Sequence, residues 1–197
     1  MNYLSINTST TICSVSFFYK SKLQSLNEID VKEHSKFLPV MCKKLINDNI
    51  NELDFIALAI GPGSYSSLKI GCSFSKGLAY SIDKPIIPIP TFEGLNNQIN
   101  NEKKYYISLY SHRDYAFFQL YKLGAPISKP ICSKISDMKD YKIYGYGLRD
   151  KLENHQYTEI KPSAEDIGHI AFKKYSQFCK KDINEINPIY LSKEVKV

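Results

Sequence analysis

Arginine is nearly missing from this chain: Arg113 and Arg149 stand alone among 26 basic residues, the rest being lysine. The planar guanidinium fork that reads guanine edges is therefore scarce, and the net charge of +6 reads as a lysine coat that keeps the chain soluble before it reads as a nucleic-acid groove. A tRNA-binding protein in its own right is the weaker alternative. Long apolar runs are missing too. The longest, Phe55 to Ile60, has six residues, far short of the roughly 18 that a bilayer span needs. The opening Met1-Asn2-Tyr3-Leu4-Ser5-Ile6-Asn7 has no basic region and no apolar stretch of leader type, so a cytoplasmic, membrane-free protein is expected. The five cysteines, Cys13, Cys42, Cys72, Cys132 and Cys179, include no C-x-x-C, which argues against a disulfide framework and a thiolate metal site. The histidines, His34, His112, His155 and His169, offer no i, i+4 pair, and no metal is expected. There is no P-loop lysine, no third glycine of a dinucleotide fingerprint and no nucleophile elbow.

What is present, 197 residues with 43% hydrophobic and 23% charged, fits one medium domain or two small lobes. Tyr3–Ile6 and the alternating Cys13–Tyr19 read as strands, and Leu23–Val31 can supply a third. A helix follows, with Ser35 placed to cap it and Pro39 within about its first turn. Its apolar arc is wide: Leu38, Met41 and Leu45 form one stripe, with Phe37 and Val40 beside it. Phe55–Ile60 has the continuous apolar character of a central strand covered on both faces. It runs through Gly61-Pro62-Gly63-Ser64 into a helix over residues 68–82. There Ser67, Gly71 and Ser75 make a small-residue strip flanked by Leu68 and Phe74. A strand at Ile86–Ile89 and a helix from Thr91 complete the first half. The amide-rich Asn96–Asn101 reads as a linker, and residues 102–197 as a second lobe. That lobe also opens on a pair of strands, Tyr105–Tyr110 and Tyr115–Leu123. Later come a strand at Lys142–Tyr146 and a helix capped by Ser163 whose inward face is Ile167, Ile170, Ala171 and Phe178.

A glycine-rich turn between strand and helix can present amide N–H groups to an anion, so Gly61, Gly63 and Ser64 are anion-loop candidates. A plain structural turn explains the same four residues. At Asn7-Thr8-Ser9-Thr10 an actin-like ATPase would place an aspartate and a glycine; Asn7 has no charge for Mg²⁺, and Thr8 would crowd a phosphate.

Three segments together resemble the TsaB (YeaZ) family. They are Leu4–Val15, Glu33-His34-Ser35 with Leu38-Pro39, and above all Ala59–Gly71 with Lys76-Gly77-Leu78-Ala79. Tyr144–Gly147, Pro162–Asp166 and Pro188–Leu191 extend the likeness over nearly the whole chain. Departures stand at Asn7 and Ser111, where the family usually has Asp, at Ser66-Ser67 for Thr-Gly and at Lys69 for Arg. The resemblance implies a two-lobed α/β fold of the actin/Hsp70/sugar-kinase type, each lobe a mixed sheet flanked by helices, with lobes 1–101 and 102–197. It implies a non-catalytic subunit without cofactor that dimerises with a TsaD-like threonylcarbamoyltransferase to make threonylcarbamoyladenosine beside the tRNA anticodon. A TsaE-like ATPase subunit is a further expected partner, tRNA is met only within the complex, and a homodimer can form in isolation. An independent actin-like, ATP-dependent phosphotransferase is the alternative. The partner interface is expected at Leu38, Met41 and Leu45 with Ser67, Leu68, Gly71, Phe74, Ser75 and Leu78. From periodicity alone, a core role for both stripes weighs equally. On the interface reading the strip faces outward and Gly71→Glu leaves the isolated chain folded.

Overall fold

The computed structural model describes residues 1–28, 30–100, 102–152, 155–179 and 182–191. The chain divides into two compact units, Met1–Gly94 with Pro162–Ile189, and Leu95–Lys161 with Tyr190 onward.

The first unit is built on five strands: β1 (Tyr3–Asn7), β2 (Cys13–Tyr19), β3 (Lys22–Glu28), β4 (Phe55–Ala59) and β5 (Ile86–Ile89), in the order β3-β2-β1-β4-β5. β1, β4 and β5 are parallel, while β2 and β3 fold back as antiparallel hairpins. Parallel neighbours need crossovers, and helices supply them: α1 (His34–Ile46) before β4 and α2 (Tyr65–Ile82) before β5. Every residue of β4 is buried, as its apolar run requires. Its side chains alternate between two cores. Ile56 and Leu58 join Leu4 and Ile6 of β1 against Leu38, Met41, Cys42 and Leu45 of α1 and Cys72 and Ala79 of α2. Phe55, Ala57 and Ala59 join Tyr3 on the opposite face.

That opposite face is covered by the last helix, α4 (Ala164–Phe178), through Ile167, Ile170 and Ala171. The expected division at 101/102 placed this helix in the second lobe; its apolar face instead completes the first sheet. Two faces of apolar strand need two layers of helix, and the first half of the chain supplies only one. Three serines seat the start of α4. Ser163 Oγ accepts the Glu165 amide (3.0 Å), Ser14 Oγ accepts the Ala164 amide (2.8 Å), and the Ser25 hydroxyl donates to the Glu165 carboxylate (2.5 Å). The Ser163 cap is as expected; the one on α1 is not. Lys36 and Phe37 N–H both reach the Glu33 carbonyl, so Glu33 is the cap and Ser35 already lies inside the helix.

The second unit repeats the strand order of the first. Its strands are β6 (Lys104–His112), β7 (Tyr115–Lys122), β8 (Ala125–Pro126), β9 (Ile131–Lys134), β10 (Lys142–Tyr146) and β11 (Tyr157–Glu159), after the short helix α3 (Thr91–Asn96). The order is β11-β10-β6-β7-β8, with β9 also on β7. Again an antiparallel meander leads to parallel additions, β6 to β10 to β11. Where the first unit has α1 and α2, the described residues here hold only 3-10 turns, Ile135–Asp137 and Arg149–Lys151. Tyr106, Phe118, Met138, Ile143 and Leu148 form this unit's core.

Removing the side chain that anchors α4 should cost the whole first unit. Ile167 is fully buried, and Ile167→Ala is expected to lower unfolding stability by about 2–5 kcal/mol in a denaturant titration. A loss under about 1 kcal/mol would mean that α4 is dispensable to the sheet.

Candidate functional site

Two sites were expected on the first unit, an anion loop at residues 61–64 and a helix surface on α1 and α2. The loop is filled by the chain itself. The β1–β2 turn enters it: the Ser64 amide donates to the Ser9 carbonyl (2.8 Å), and the Gly61 amide to the Thr91 hydroxyl (3.1 Å). A Cβ at Gly63 would stand 2.2 Å from the Ser9 carbonyl oxygen, so glycine is required by the closeness of that turn. Asn7 turns its amide oxygen back on Ser9, accepting from its N–H (3.1 Å) and its hydroxyl (2.7 Å). Asn7, Thr8 and Ser9 are all buried. The groups an anion would use at Gly61 and Ser64 are thus spent on Thr91 and Ser9. The segment acts as a clasp between β1, β4 and α2.

The small-residue strip belongs to the same clasp. The Thr8 hydroxyl donates to the Ser67 carbonyl (2.8 Å), and a Cβ at Gly71 would lie 2.3 Å from Thr8 Oγ1. Ser67, Leu68, Gly71 and Ser75 are buried, as are Leu38, Met41 and Leu45. Seven of the nine expected interface residues therefore point into the molecule, because two helices on one sheet need their largest apolar stripes there. Only Phe74 and Leu78 remain half-exposed. They line a groove of about 180 Å³ together with Pro39, Cys42, Lys43 and Ile46, between α1 and α2.

Beyond the groove the outer faces of both helices are apolar in places where solvent usually meets charge. Val40 is 64% exposed, Phe37 37%, and Tyr80 at the end of α2 84%. Tyr65, at the start of α2, is exposed too, with Lys69 above its ring at 4.5 Å. The signal for Phe37 and Val40 was in the sequence as the second stripe of α1. The tyrosines gave none, since a surface tyrosine is unremarkable in a helix pattern.

The buried thiols serve the fold. Burial pushes the Cys13 thiol up to about 11 and raises Cys42 and Cys72 as well, so these sulfurs stay protonated and unreactive. Among the described residues no three His, Cys, Asp or Glu side chains converge as a metal site. His112 stacks on Tyr115 at 5.3 Å and accepts or donates at Ser111 Oγ (2.9 Å) on an exposed strand end. His34 is the exception to exposure. It is buried at the start of α1, and its Nε2 has no partner. Burial lowers its pKa, opposed by the Ile12 and Thr10 carbonyls.

Known proteins resemble this chain along most of its length. The Haemophilus influenzae tRNA threonylcarbamoyladenosine biosynthesis protein TsaB is 24% identical over 99% of this chain and 95% of its own length. The chain is similar to the TsaB (YeaZ) family over nearly its whole length. A Buchnera aphidicola TsaB is 36% identical, over 45% of this chain and 43% of that protein. Residues 27–113 match the family model described as TsaD, tRNA N6-adenosine threonylcarbamoyltransferase. A Fervidobacterium nodosum protein of that description is 45% identical over 32% of this chain, which is 19% of its own length. The fold agrees with two solved Pseudomonas aeruginosa structures. One is described as similar to peptidase YeaZ (TM-score 0.82, 18% identity, 97% of this chain and 99% of that one), the other as YeaZ (0.79, 19%, 96% and 99%). No helix among the described residues is long and apolar enough to cross a membrane.

Two outcomes follow from the clasp. Gly71→Glu should unfold or strongly destabilise the isolated chain, by about 3 kcal/mol or more, because it drives a charged side chain into Thr8. A melting temperature within a few degrees of wild type would place the strip outside. His34 sets a pH dependence. Its folded pKa lies below the ordinary 6.5, so below that pH the unfolded state binds the proton first, and stability present above about 6.5 is lost as pH falls. The loss should approach about 1.4 kcal/mol per pH unit until the folded histidine itself titrates. Thermal melts from pH 7.5 to 5.5 should fall more steeply for wild type than for His34→Gln; equal slopes would contradict it.

Proposed function

We propose that the chain is a non-catalytic, cytoplasmic subunit that binds and activates a TsaD-like threonylcarbamoyltransferase during threonylcarbamoyladenosine synthesis on tRNA, and that the outer faces of α1 and α2 are the contact. The observation that carries this is apolar surface left outside the core on both helices, exposed at Phe37 and Val40 of α1 and half-exposed at Phe74 and Leu78 of α2, which line the groove between them, on helices whose inner faces are already consumed by the sheet. The match to the TsaD family model supports it from a second side. Residues 27–113 contain both α1 and α2, so the chain is similar to the transferase family in the very helices that form this surface. Two similar helix pairs can pack about a pseudo-twofold axis, each meeting the equivalent surface of the other. The same geometry lets two copies of this chain pair when the transferase is missing. A TsaE-like ATPase would join the assembled pair, where the reaction's ATP chemistry is carried out. The closed loop at residues 61–64 supports a role without chemistry of its own, since the Ser64 and Gly61 amides are already bonded within the chain.

The expected outcome is read on two preparations. A Phe37→Glu/Val40→Glu variant should lose co-elution with the TsaD-like subunit, its affinity falling about a hundredfold or more, because two charges would be carried into an apolar contact. Its own melting temperature should stay within a few degrees, both positions being solvent-facing. The wild-type chain alone should neither hydrolyse Mg-ATP nor modify tRNA. Co-elution retained by the double variant would remove α1 from the interface, and phosphate release by the purified chain would favour a phosphotransferase.

A further inference from the structure

On the other side of the last turn of α1, away from Pro39 and Phe74, lies a larger hollow of about 490 Å³ between α1 and the β2–β3 hairpin. Its size falls within the range of small-molecule sites. The apolar lining comes from Phe17 and Leu45, both buried core residues, and from Tyr19, which stacks on Phe17 at 5.3 Å. Three lysines from three places in the chain line it too: Lys20 at the hairpin tip, Lys22 opening β3, and Lys44 in the last turn of α1. In a chain whose lysines are otherwise scattered, this convergence is local.

The balance of charge there is positive. Glu52 accepts from the Tyr19 hydroxyl (2.8 Å) and stands 4.0 Å from Lys20, whose ammonium also lies over the Tyr19 ring at 4.7 Å. Lys22 and Lys44 make no ion pair among the described residues. The hairpin tip adds a local oddity. Lys20 and Ser21 have φ of 47° and 64°, the two left-handed positions of a tight hairpin where Asn-Gly is the relaxed choice, so a lysine is held at a position its backbone disfavours. Gln24, Asn47 and Asn49 complete the lining with amides, which offer both donors and acceptors.

We propose that this hollow binds a nucleotide unit, its phosphate held by Lys20, Lys22 and Lys44 and its base seated on the apolar lining with the amides at its edge. The unit is either a free nucleotide or one nucleotide of an RNA strand. Lysine is a point-charge phosphate binder and needs no planar fork, which suits a chain with two arginines. The site is separate from the closed loop at residues 61–64, and it is tested on the isolated chain, so its outcome is independent of whether the transferase docks on α1 and α2.

The test is fluorescence polarisation of the full chain with an unmodified tRNA transcript, and calorimetric titration with ATP and AMP, each at several salt concentrations. Wild type should bind at least one of these probes. The Lys22→Gln/Lys44→Gln variant should weaken that binding at least tenfold with an unchanged melting temperature, and on the tRNA arm should reduce the log–log salt slope by about 2. The control Lys103→Gln/Lys173→Gln, exposed lysines elsewhere, should bind like wild type. Binding confined to ATP or AMP assigns the site to a free nucleotide, and binding confined to tRNA assigns it to RNA; either supports the proposal. No binding to any probe, or equal weakening in the control, overturns it.

Discussion

Strand β4 has no polar face, and most of the first unit follows from that. Phe55, Ala57 and Ala59 look one way and Ile56 and Leu58 the other, so both sides of the sheet must be kept from water. Helices α1 and α2 cover one side and α4 the other, drawn from the far end of the chain. Each side receives one layer of helix; the residues around the 3-10 turn Ile183–Glu185 add cover on α2, where Cys72 Sγ donates to the Ile186 carbonyl (3.7 Å), and the outer face of α1 keeps exposed positions. A typical surface helix would carry charge there; α1 carries Phe37 and Val40. The exposed apolar positions of α1, the surface we propose for a partner, thus lie outside what the burial of the core strand consumes.

The same economy of space closes the loop between β4 and α2. Strand β1 ends beside β4, and its turn into β2 brings Asn7, Thr8 and Ser9 against the start of α2. The close approaches at Gly63 and Gly71 leave room for the Ser9 carbonyl and the Thr8 hydroxyl and for little else. The glycine turn that reads from sequence as an anion-loop candidate sits here, and its contacts tie strand to helix. The clasp ties α2 to β1 and β4, as the docking surface we propose on α1 and α2 would require.

Much of this was legible in residues alone. The continuous apolar run at 55–60 announced a doubly covered strand, the glycine turn after it announced a strand-to-helix passage, and the paired aromatic strands after residue 104 announced a second unit with an opening like the first. Other features were not legible, for physical reasons. A stripe with helical spacing shows that a helix has an apolar face, and nothing in the spacing says whether that face meets a sheet or a partner; Leu38, Met41 and Leu45 took the sheet, leaving Phe37 and Val40 outside. Small residues at intervals of four signal a close approach without naming what approaches, which proved to be Thr8. The return of α4 to the first sheet is a long-range pairing that local pattern does not encode, and the two- to four-residue strands β8, β9 and β11 are too short to carry a period.

The central claim is that the outer faces of α1 and α2 meet the transferase. Hydrogen–deuterium exchange of the chain alone and mixed with the TsaD-like subunit tests it most directly, since it reads every segment at once without altering a residue. The account predicts added protection concentrated in residues 34–46 and 65–82, with β6, β7 and α4 unchanged. Protection that appears instead in the second unit or on α4, or no change anywhere in a mixture that co-elutes, would contradict it.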